Sequence, residues 1–387
     1  MMKKLARIGW ILAALLMAGT AACRRDQAEP LTSELNIYIQ IPGRTVTRGE
    51  IGDVLSEQEG EDLIHTLQIW VYLHEAAGGH PAGHLLGYLN PSPNFLHTGT
   101  VNRFFLSIEN EVAEANPTVD VYVLGNATSA GFATLDVNTT ASDLDGLLMQ
   151  GNVFGISANA PTCSAVPSTG LPFSGVGKAL QMTGEYPVLT LPAVEIKRAV
   201  SKLRFVFSQL SDENGPVAEF NVTGIKLNGN GIAKEEYLIN DNENLPYKIT
   251  PGQYEPSELV FPALGPSQIA NNLYPLDYAY VNQDAQTYED LIMSGLADGV
   301  LTSGGFCYLR ESDIQLSGEI SYTIRTPAEV AAGVPATEEH LPFTMQTAGD
   351  FARNHTWIIY AYFLYGRLQF SISWTDWVHG QDFELNY

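Results

Sequence analysis

Strict alternation of apolar and polar residues begins near the start of the chain, at residues 35–41. Its apolar members are Leu35, Ile37, Ile39 and Ile41. In an extended chain these four side chains share one face, so the pattern predicts a half-buried β-strand. A Pro-Gly pair follows at residues 42–43, and the strand is predicted to end there because proline lacks a backbone donor.

A polar segment with two arginines, Arg44 and Arg48, follows this strand and continues through acidic, glycine-containing sequence to about residue 62. Cleavage in such a loop would let the strand leave and would open an apolar groove for a strand from another molecule. The carboxylates at Glu57, Glu59, Glu61 and Asp62 are interpreted as a solvated loop, because polar, flexible neighbours give no reason for a raised pKa.

Further strands are predicted throughout the chain, and the last two form a hairpin with a large apolar face. The predicted strands lie at 67–73, 104–108, 119–124, 186–191, 202–207, 220–227, 306–309, 320–324, 357–363 and 368–374. Short helices are predicted at 144–149, with Asp143 as the N-cap, and near 287–294. No alternation of strands with helices is present, so the prediction is an all-β fold of β-sandwiches.

The first 22 residues form an export signal with a basic start, a short apolar core and small residues before Cys23. A Cys after Ala-Ala is typical of a lipoprotein site, where lipid on Cys23 would hold the protein at a membrane surface. Thr20 stands where such sites usually carry Leu, so an ordinary secretory signal that ends near a Cys is the alternative. We expect a domain at 23–192 and another at 193–387, with an insert at about 255–300.

Composition narrows the possible functions. The formal net charge is −23, and loss of the signal's three basic residues would make it more negative still. Such a charge argues against nucleic-acid binding, which needs basic patches, and suits a surface protein that resists nonspecific association. No later apolar run is long enough for a transmembrane helix.

Several sequence patterns could indicate a metal or catalytic site, but each lacks residues or spacing that such a site needs. His74, His80 and His84 do not have the spacing of a zinc-protease helix, and the glycines and proline between them favour a hairpin loop. The acidic residues near 143–146 lack most ligands of a calcium loop. Cys163 and Cys307 could form a disulfide or lie buried as small apolar residues. No nucleophile, phosphate-binding or dinucleotide motif is present, so neither an enzyme nor a cofactor is predicted.

Aromatic residues are concentrated near the end of the chain. They are Trp357, Tyr360, Tyr362, Trp374 and Trp377. Aromatic side chains more often form the core and edge of a sandwich, but on an exposed face they could stack against a sugar.

Several stretches together resemble the fimbrillins of Bacteroidetes, the subunits of type V pili. Besides Cys23 and the Thr-Arg at 47–48, the similarity is carried by Val119–Asn126 (VDVYVLGN), Leu171–Gly175 (LPFSG), Lys197–Phe207 (KRAVSKLRFVF), Phe306–Ser312 (FCYLRES), Arg353–Tyr360 (RNHTWIIY) and Trp374–Trp377. Each motif is weak alone, but their order along the chain matches. Cys307 and Arg310 depart from the family pattern, and 255–300 has no counterpart.

The resemblance implies two transthyretin-like β-sandwich domains with Greek-key topology. It also implies an outer-membrane lipoprotein that an Arg-specific protease cuts after Arg48 or, second, Arg44. A neighbouring subunit's strand would then replace the first strand, in fimbriae that contribute to adhesion. The candidate donor residues are Trp374, Trp377, Phe383, Leu385 and Tyr387. Anchor subunits of the family keep their first strand, so a chain that is not cut at Arg48 would also be consistent with membership of this family. The alternative function is a surface lipoprotein or pilus tip that binds host glycan or protein.

Overall fold

The computed structural model describes residues 32–41, 61, 63–92, 94, 96, 100–150, 166–212, 215–216, 219–227, 235–239, 259–261, 263–269, 271–272, 301–311, 317–344, 353–364 and 367–376. Most of these residues lie in β-strands, so the all-β prediction is confirmed. The strands of the first half are β1 (Thr32–Gln40), β2 (Leu67–Leu73), β3 (Leu85–Leu89), β4 (Val101–Glu109), β5 (Thr118–Gly125), β6 (Leu148–Gln150), β7 (Phe173–Gln181), β8 (Thr183–Glu185), β9 (Val188–Thr190), β10 (Val194–Glu195) and β11 (Lys197–Arg198).

The strands of the second half include the longest of the described chain. They are β12 (Ser201–Asp212), β13 (Gly215–Pro216), β14 (Glu219–Leu227), β15 (Glu235–Tyr237), β16 (Leu259–Phe261), β17 (Asn271–Asn272), β18 (Thr302–Leu309), β19 (Ser317–Arg325), β20 (Thr337–Thr344), β21 (His355–Leu364) and β22 (Arg367–Asp376). The predicted terminal hairpin is confirmed, because β21 and β22 pair antiparallel along their full length.

Three short α-helices are described: α1 (Asn110–Ala115), α2 (Ala141–Asp145) and α3 (Pro327–Ala331). Ala127–Ala130 and Pro266–Gln268 form short 3-10 helices. The helix predicted at 144–149 was wrong in position. Thr140 is the N-cap, and Asp143 is the third helical residue, which bonds back to the Thr140 backbone in a capping box. The helix predicted near 287–294 lies outside the described residues.

Two sheets of the first half face each other across one apolar core. The first sheet contains β4, β1, β9, β8 and β10, and the second has the order β11-β7-β5-β2-β3. Their inner faces bury a continuous cluster that includes Leu35, Ile69, Val121 and Phe173. Two packed sheets with alternating inward side chains are the arrangement expected of a sandwich.

Two sheets of the second half enclose a separate core. The third sheet has the order β13-β12-β21-β22, with β17 and β18 also paired to β12, and the fourth has the order β16-β14-β19-β20. Phe205 lies between Phe261 and Phe343, with ring centroids 4.8 and 5.8 Å away. The two cores have no buried residue in common.

Strand pairing and core contacts connect the two halves, in addition to the covalent chain. A small fifth sheet pairs β6 of the first half with β15 of the second. Leu238 and Tyr308, from the second half of the sequence, belong to the apolar cluster of the first. β10 and β11 still pair with strands of the first half, and the chain enters the third sheet only at Ser201.

Candidate functional site

β1, the strand predicted at residues 35–41, lies in the middle of the first sheet. One edge pairs antiparallel with β4 along its whole length. The other edge pairs in parallel with β9 near the start of β1 and with β10 near its end. Backbone hydrogen bonds on that edge run from Glu34 N to Pro187 O (2.8 Å), from Leu191 N to Asn36 O (2.9 Å) and from Ile196 N to Gln40 O (3.1 Å). We call the space that β1 fills between these strands the β1 slot.

The inner face of β1 is apolar and fully enclosed. Leu35, Ile37 and Ile39 have no exposed surface, and Ile41 is 1% exposed. Burial of an aliphatic side chain contributes about 1.5–3 kcal/mol, so the four together contribute roughly 6–12 kcal/mol. A protein that lost β1 would expose this core, and any strand that refilled the slot with alternating apolar residues would recover much of that energy.

The outer face of β1 is polar and ordered by one arginine from β4. Arg103 donates from Nε to Asn36 Oδ1 (2.8 Å) and from an η nitrogen to Glu34 Oε1 (3.1 Å). Asn36 is only 3% exposed, and its Nδ2 donates to the Leu189 carbonyl of the strand on the opposite side (3.1 Å). The slot therefore makes specific polar contacts as well as apolar ones.

Glu61 is the first described residue after Ile41. Its interpretation as part of a solvated loop was wrong, because Glu61 is buried and its carboxylate contacts Lys202 Nζ (2.5 Å) and the Tyr308 hydroxyl (2.6 Å). Burial raises the pKa of Glu61, but the attraction of Lys202 and the hydrogen bonds outweigh burial and hold this pKa below its usual value. Glu57, Glu59 and Asp62 lie outside the described residues.

A second buried ionic group lies between the halves. Arg353 donates to the carboxylates of both Glu236 (2.5 Å) and Glu311 (2.8 Å), and also to the Leu238 carbonyl (2.8 Å). Burial raises the pKa of Glu236, Arg353 opposes that effect, and the nearby Glu311 adds to it. We call the two groups together, Glu61-Lys202-Tyr308 and Glu236-Glu311-Arg353, the ionic junction.

Residues of the family-like motifs meet at or beside this junction. The ionic junction contains residues of three of these motifs: Lys202 from 197–207, Tyr308 and Glu311 from 306–312, and Arg353 from 353–360. Asn126, directly after β5, adopts a left-handed backbone conformation (φ 52°). It donates to the carbonyls of Leu63, two residues after Glu61, and Leu171 (2.8 Å each) and accepts from His65 N (2.7 Å). The sequence revealed the pattern of these motifs but not that it encodes a contact between the halves.

Most of the other predicted site residues lie outside the described part of the chain. Cys23, Arg44, Arg48, Trp377, Phe383, Leu385 and Tyr387 lie outside the described residues, as does Cys163. Trp374 lies in β22, opposite Trp357 of β21 in register. Cys307 is buried.

The histidine-rich segment is a hairpin loop between β2 and β3, as predicted. The His80 and His84 rings stack with centroids 4.0 Å apart, and His80 Nε2 lies 3.0 Å from Glu109 Oε2. Among the described residues no group of three or more metal-ligating side chains is close enough to hold an ion. The described helices include none that is both long and apolar enough to cross a membrane.

Burial is described for two of the aromatic residues near the end of the chain. Trp357 and Tyr360 are buried, at 3% and 2% exposure, so neither can belong to an exposed sugar-stacking platform. The side chains of Tyr362, Trp374 and Trp377 lie outside the described part of the chain.

The sequence matches no protein-family model and no curated protein. In structure the chain is similar to a candidate cell adhesion protein of Parabacteroides distasonis (TM-score 0.49, 12% identity, covering 90% of this chain and 98% of that one). It is also similar to the tip fimbrial protein Mfa3 of Porphyromonas gingivalis (0.47, 13%, 89% and 100%) and to a fimbrilin of the same organism (0.45, 12%, 90% and 98%). Because these TM-scores lie below 0.5, we base the functional proposal on the sequence motifs and on the geometry around β1.

Proposed function

We propose that this chain is a structural subunit of a type V pilus of the fimbrillin kind, assembled by strand exchange and without catalytic activity. The single observation that supports it most is the central strand β1 with the residue after it, Ile41. Together they carry four enclosed aliphatic side chains, and Arg44 and Arg48 follow in sequence. In this proposal a protease cuts after Arg48, or after Arg44, and β1 leaves its slot. A strand from a second copy then fills the slot with backbone hydrogen bonds and alternate apolar side chains.

The proposed export route places the subunit on the cell surface. The signal at residues 1–22 directs export, and lipid on Cys23 holds the precursor in the outer membrane until cleavage releases it. The fold we propose is two transthyretin-like sandwiches with Greek-key topology. Their division lies near residue 200 rather than at the expected 192, because β10 and β11 pair with strands of the first half. The two separate cores support two domains, and the ionic junction would keep them together in the fibre.

The proposed donor segment is residues 377–387. Trp374 is a less suitable donor, because β22 already pairs with β21 along its full length and would have to leave that sheet. Residues 383–387 alternate, with apolar Phe383, Leu385 and Tyr387 separated by polar residues, which is the pattern a slot with one enclosed face requires.

The experiment that tests this function uses the lipid-free precursor and an Arg-specific protease. We expect cleavage to give a new N-terminus at Gly49 and a ladder of SDS-resistant oligomers. The variant Arg44→Gln/Arg48→Gln should stay monomeric under the same treatment, whereas Lys226→Gln, a change on the exposed face of β14, should form the ladder. A cleaved protein that starts at Gly49 and remains monomeric would contradict the proposal.

The second candidate function is a surface lipoprotein or tip adhesin that binds host glycan or protein. Burial of Trp357 and Tyr360 removes part of the aromatic surface that favoured it. Retention on a glycan array by protein that never forms oligomers would favour this alternative.

A further inference from the structure

The outer face of the β1 slot holds unused polar groups once β1 is removed. Arg103 would lose the acceptors Asn36 Oδ1 and Glu34 Oε1, and the Leu189 carbonyl would lose the donor Asn36 Nδ2. Asn36 is almost fully buried, so a replacing residue at its position must satisfy a donor on one side and an acceptor on the other. A side chain that fails to do so leaves a buried polar group without a partner, which is costly.

An asparagine meets this requirement and a carboxylate does not. The amide offers a carbonyl oxygen toward Arg103 and an NH₂ group toward the Leu189 carbonyl, as Asn36 does. An ionised glutamate has only acceptors, so at the same position it would place negative charge against that carbonyl. The slot therefore distinguishes the two residues, accepting glutamate two residues earlier and asparagine at the buried position.

The tripeptide Glu-Leu-Asn occurs twice in this chain, at Glu34–Asn36 within β1 and again at Glu384–Asn386. Both copies stand in alternating sequence, so the glutamate and asparagine share one face and the leucine has the other. The second copy thus repeats the residues that Arg103 and Leu189 hold in the first.

We propose that Arg103 is a specificity-determining residue of the β1 slot and recognises Glu384 and Asn386 of a second copy of this chain. The inference rests on the proposed strand exchange and names the segment and its register. The incoming strand runs in the direction of β1 and places Leu385 in the enclosed position of Leu35 and Tyr387 in that of Ile37. Residues 383–387 therefore refill the part of the slot that runs from Ser33 to Ile37. Asn386 takes the place of Asn36, between Arg103 and the Leu189 carbonyl.

The same contacts exclude the neighbouring register. A shift by two residues toward Ile41 would place Phe383, Leu385 and Tyr387 at the enclosed positions of Leu35, Ile37 and Ile39, so the apolar core does not discriminate against it. That shift would place Glu384 at the buried position of Asn36, against the Leu189 carbonyl. The polar outer face, rather than the apolar inner face, therefore sets the register of the joint.

The test is a reciprocal charge reversal in the full-length protein, with ladder formation followed after Arg-specific cleavage. Arg103→Glu and Glu384→Arg should each slow ladder formation about tenfold, because each places like charges opposite one another at the slot. The double variant should return to within about threefold of wild type. Lys226→Glu is the charge-matched control and should assemble at the wild-type rate.

A second pair of variants tests recognition of the asparagine. Asn386→Asp keeps an acceptor for Arg103 but loses the donor to Leu189, so it should assemble more slowly than wild type. If Arg103→Glu fails to fold as a precursor, Arg103→Gln, which removes the guanidinium without reversing the charge, should slow assembly by a smaller factor. Cleavage in each variant is checked by mass, so that slow processing is not mistaken for slow exchange.

The outcomes separate this inference from the proposed function. A wild-type ladder that is insensitive to Arg103→Glu, or a double variant no faster than the single ones, would overturn the recognition by Arg103 alone. Absence of any ladder from fully cleaved wild-type protein would overturn the strand exchange and this inference with it.

Discussion

The β1 slot and the ionic junction are both buried, yet they are held by opposite kinds of interaction. The slot depends on aliphatic side chains and backbone pairing, with polar contacts only on its outer face. The junction depends on charged side chains that are nearly inaccessible to solvent, such as Lys202 at 1% exposure. One region could accept another strand of similar pattern, whereas the other requires particular partners at particular positions.

Strand exchange requires one strand that can be replaced and a body that stays intact, and the two regions differ in this way. Aliphatic residues from any chain can pack in an apolar groove, so one bound strand can be replaced by another. A buried charge that loses its closest partner is strongly destabilising, so the groups that hold the halves together cannot easily separate. Glu61 lies on the sequence side of Arg48 that would remain after cleavage, so loss of β1 would leave the junction complete.

The largest effect is expected at the junction. Lys202→Met would leave the buried Glu61 carboxylate without the cation that contacts it, and loss of one partner of a buried pair costs about 3–5 kcal/mol of unfolding free energy. Urea unfolding of the uncleaved precursor measures it. The double variant Glu61→Gln/Lys202→Met removes the stranded charge and should recover much of the loss; equal stability of the single and double variants would contradict the role of the pair.

A somewhat smaller loss is expected in the slot. Ile37→Ala should lower the unfolding free energy of the precursor by about 2–4 kcal/mol, because it removes a fully enclosed side chain and leaves a cavity. Gln40→Ala, on the exposed face of the same strand, should change it by less than about 0.5 kcal/mol. If both variants lose the same amount, β1 does not contribute to the core as described.

Asn126 should show an intermediate effect that combines backbone and side chain. Asn126→Ala loses its buried amide contacts and places alanine at a positive φ, so a loss of about 2 kcal/mol is expected in thermal or urea unfolding. Asn126→Gly loses the same contacts but tolerates that backbone conformation and should be less destabilised. Equal losses would show that the conformation is not important here.

The smallest effect is a dependence of the junction on pH. The folded-state pKa of Glu61 lies below its usual value of 4.5, so its contribution is complete above that pH and is lost as the pH falls through the folded-state pKa. The stability difference between wild type and Glu61→Gln should therefore be constant near neutral pH and shrink below about pH 4.5. A difference that stays constant from pH 7 to pH 3 would argue against a lowered pKa.

The sequence predicted the slot better than the junction, for a physical reason. A period of two along seven residues is a local signal, so β1 and its enclosed aliphatic residues could be recognised without the rest of the fold. Burial of Glu61 depends on Lys202 and Tyr308, which are far away in sequence and meet it only in the folded chain. An acidic stretch taken alone is typical of solvent-exposed loops, so the interpretation failed there.

The predicted position of the helix near residue 143 was wrong for a related reason. The pattern of apolar residues after Asp143 favoured a helix that continues to 149, but Leu148–Gln150 pairs with β15 from the second half of the chain. A tertiary contact therefore overrode local helix propensity. The Thr140-Asp143 capping box was nevertheless visible in sequence as a threonine followed three residues later by an acid.

Hydrogen exchange of β4 tests the central claim most directly. β4 pairs with β1 along its whole length, and its residues 104–109 lie opposite the part of the slot that the donor segment refills. Amides 104–109 should exchange slowly in the precursor, rapidly in cleaved monomer that has lost residues 1–48, and slowly again in the oligomer. β21 in the second half serves as the internal reference and should keep its protection throughout. Unchanged protection of β4 after loss of those residues, or fast exchange that persists in the oligomer, would contradict a strand that leaves its slot and is replaced.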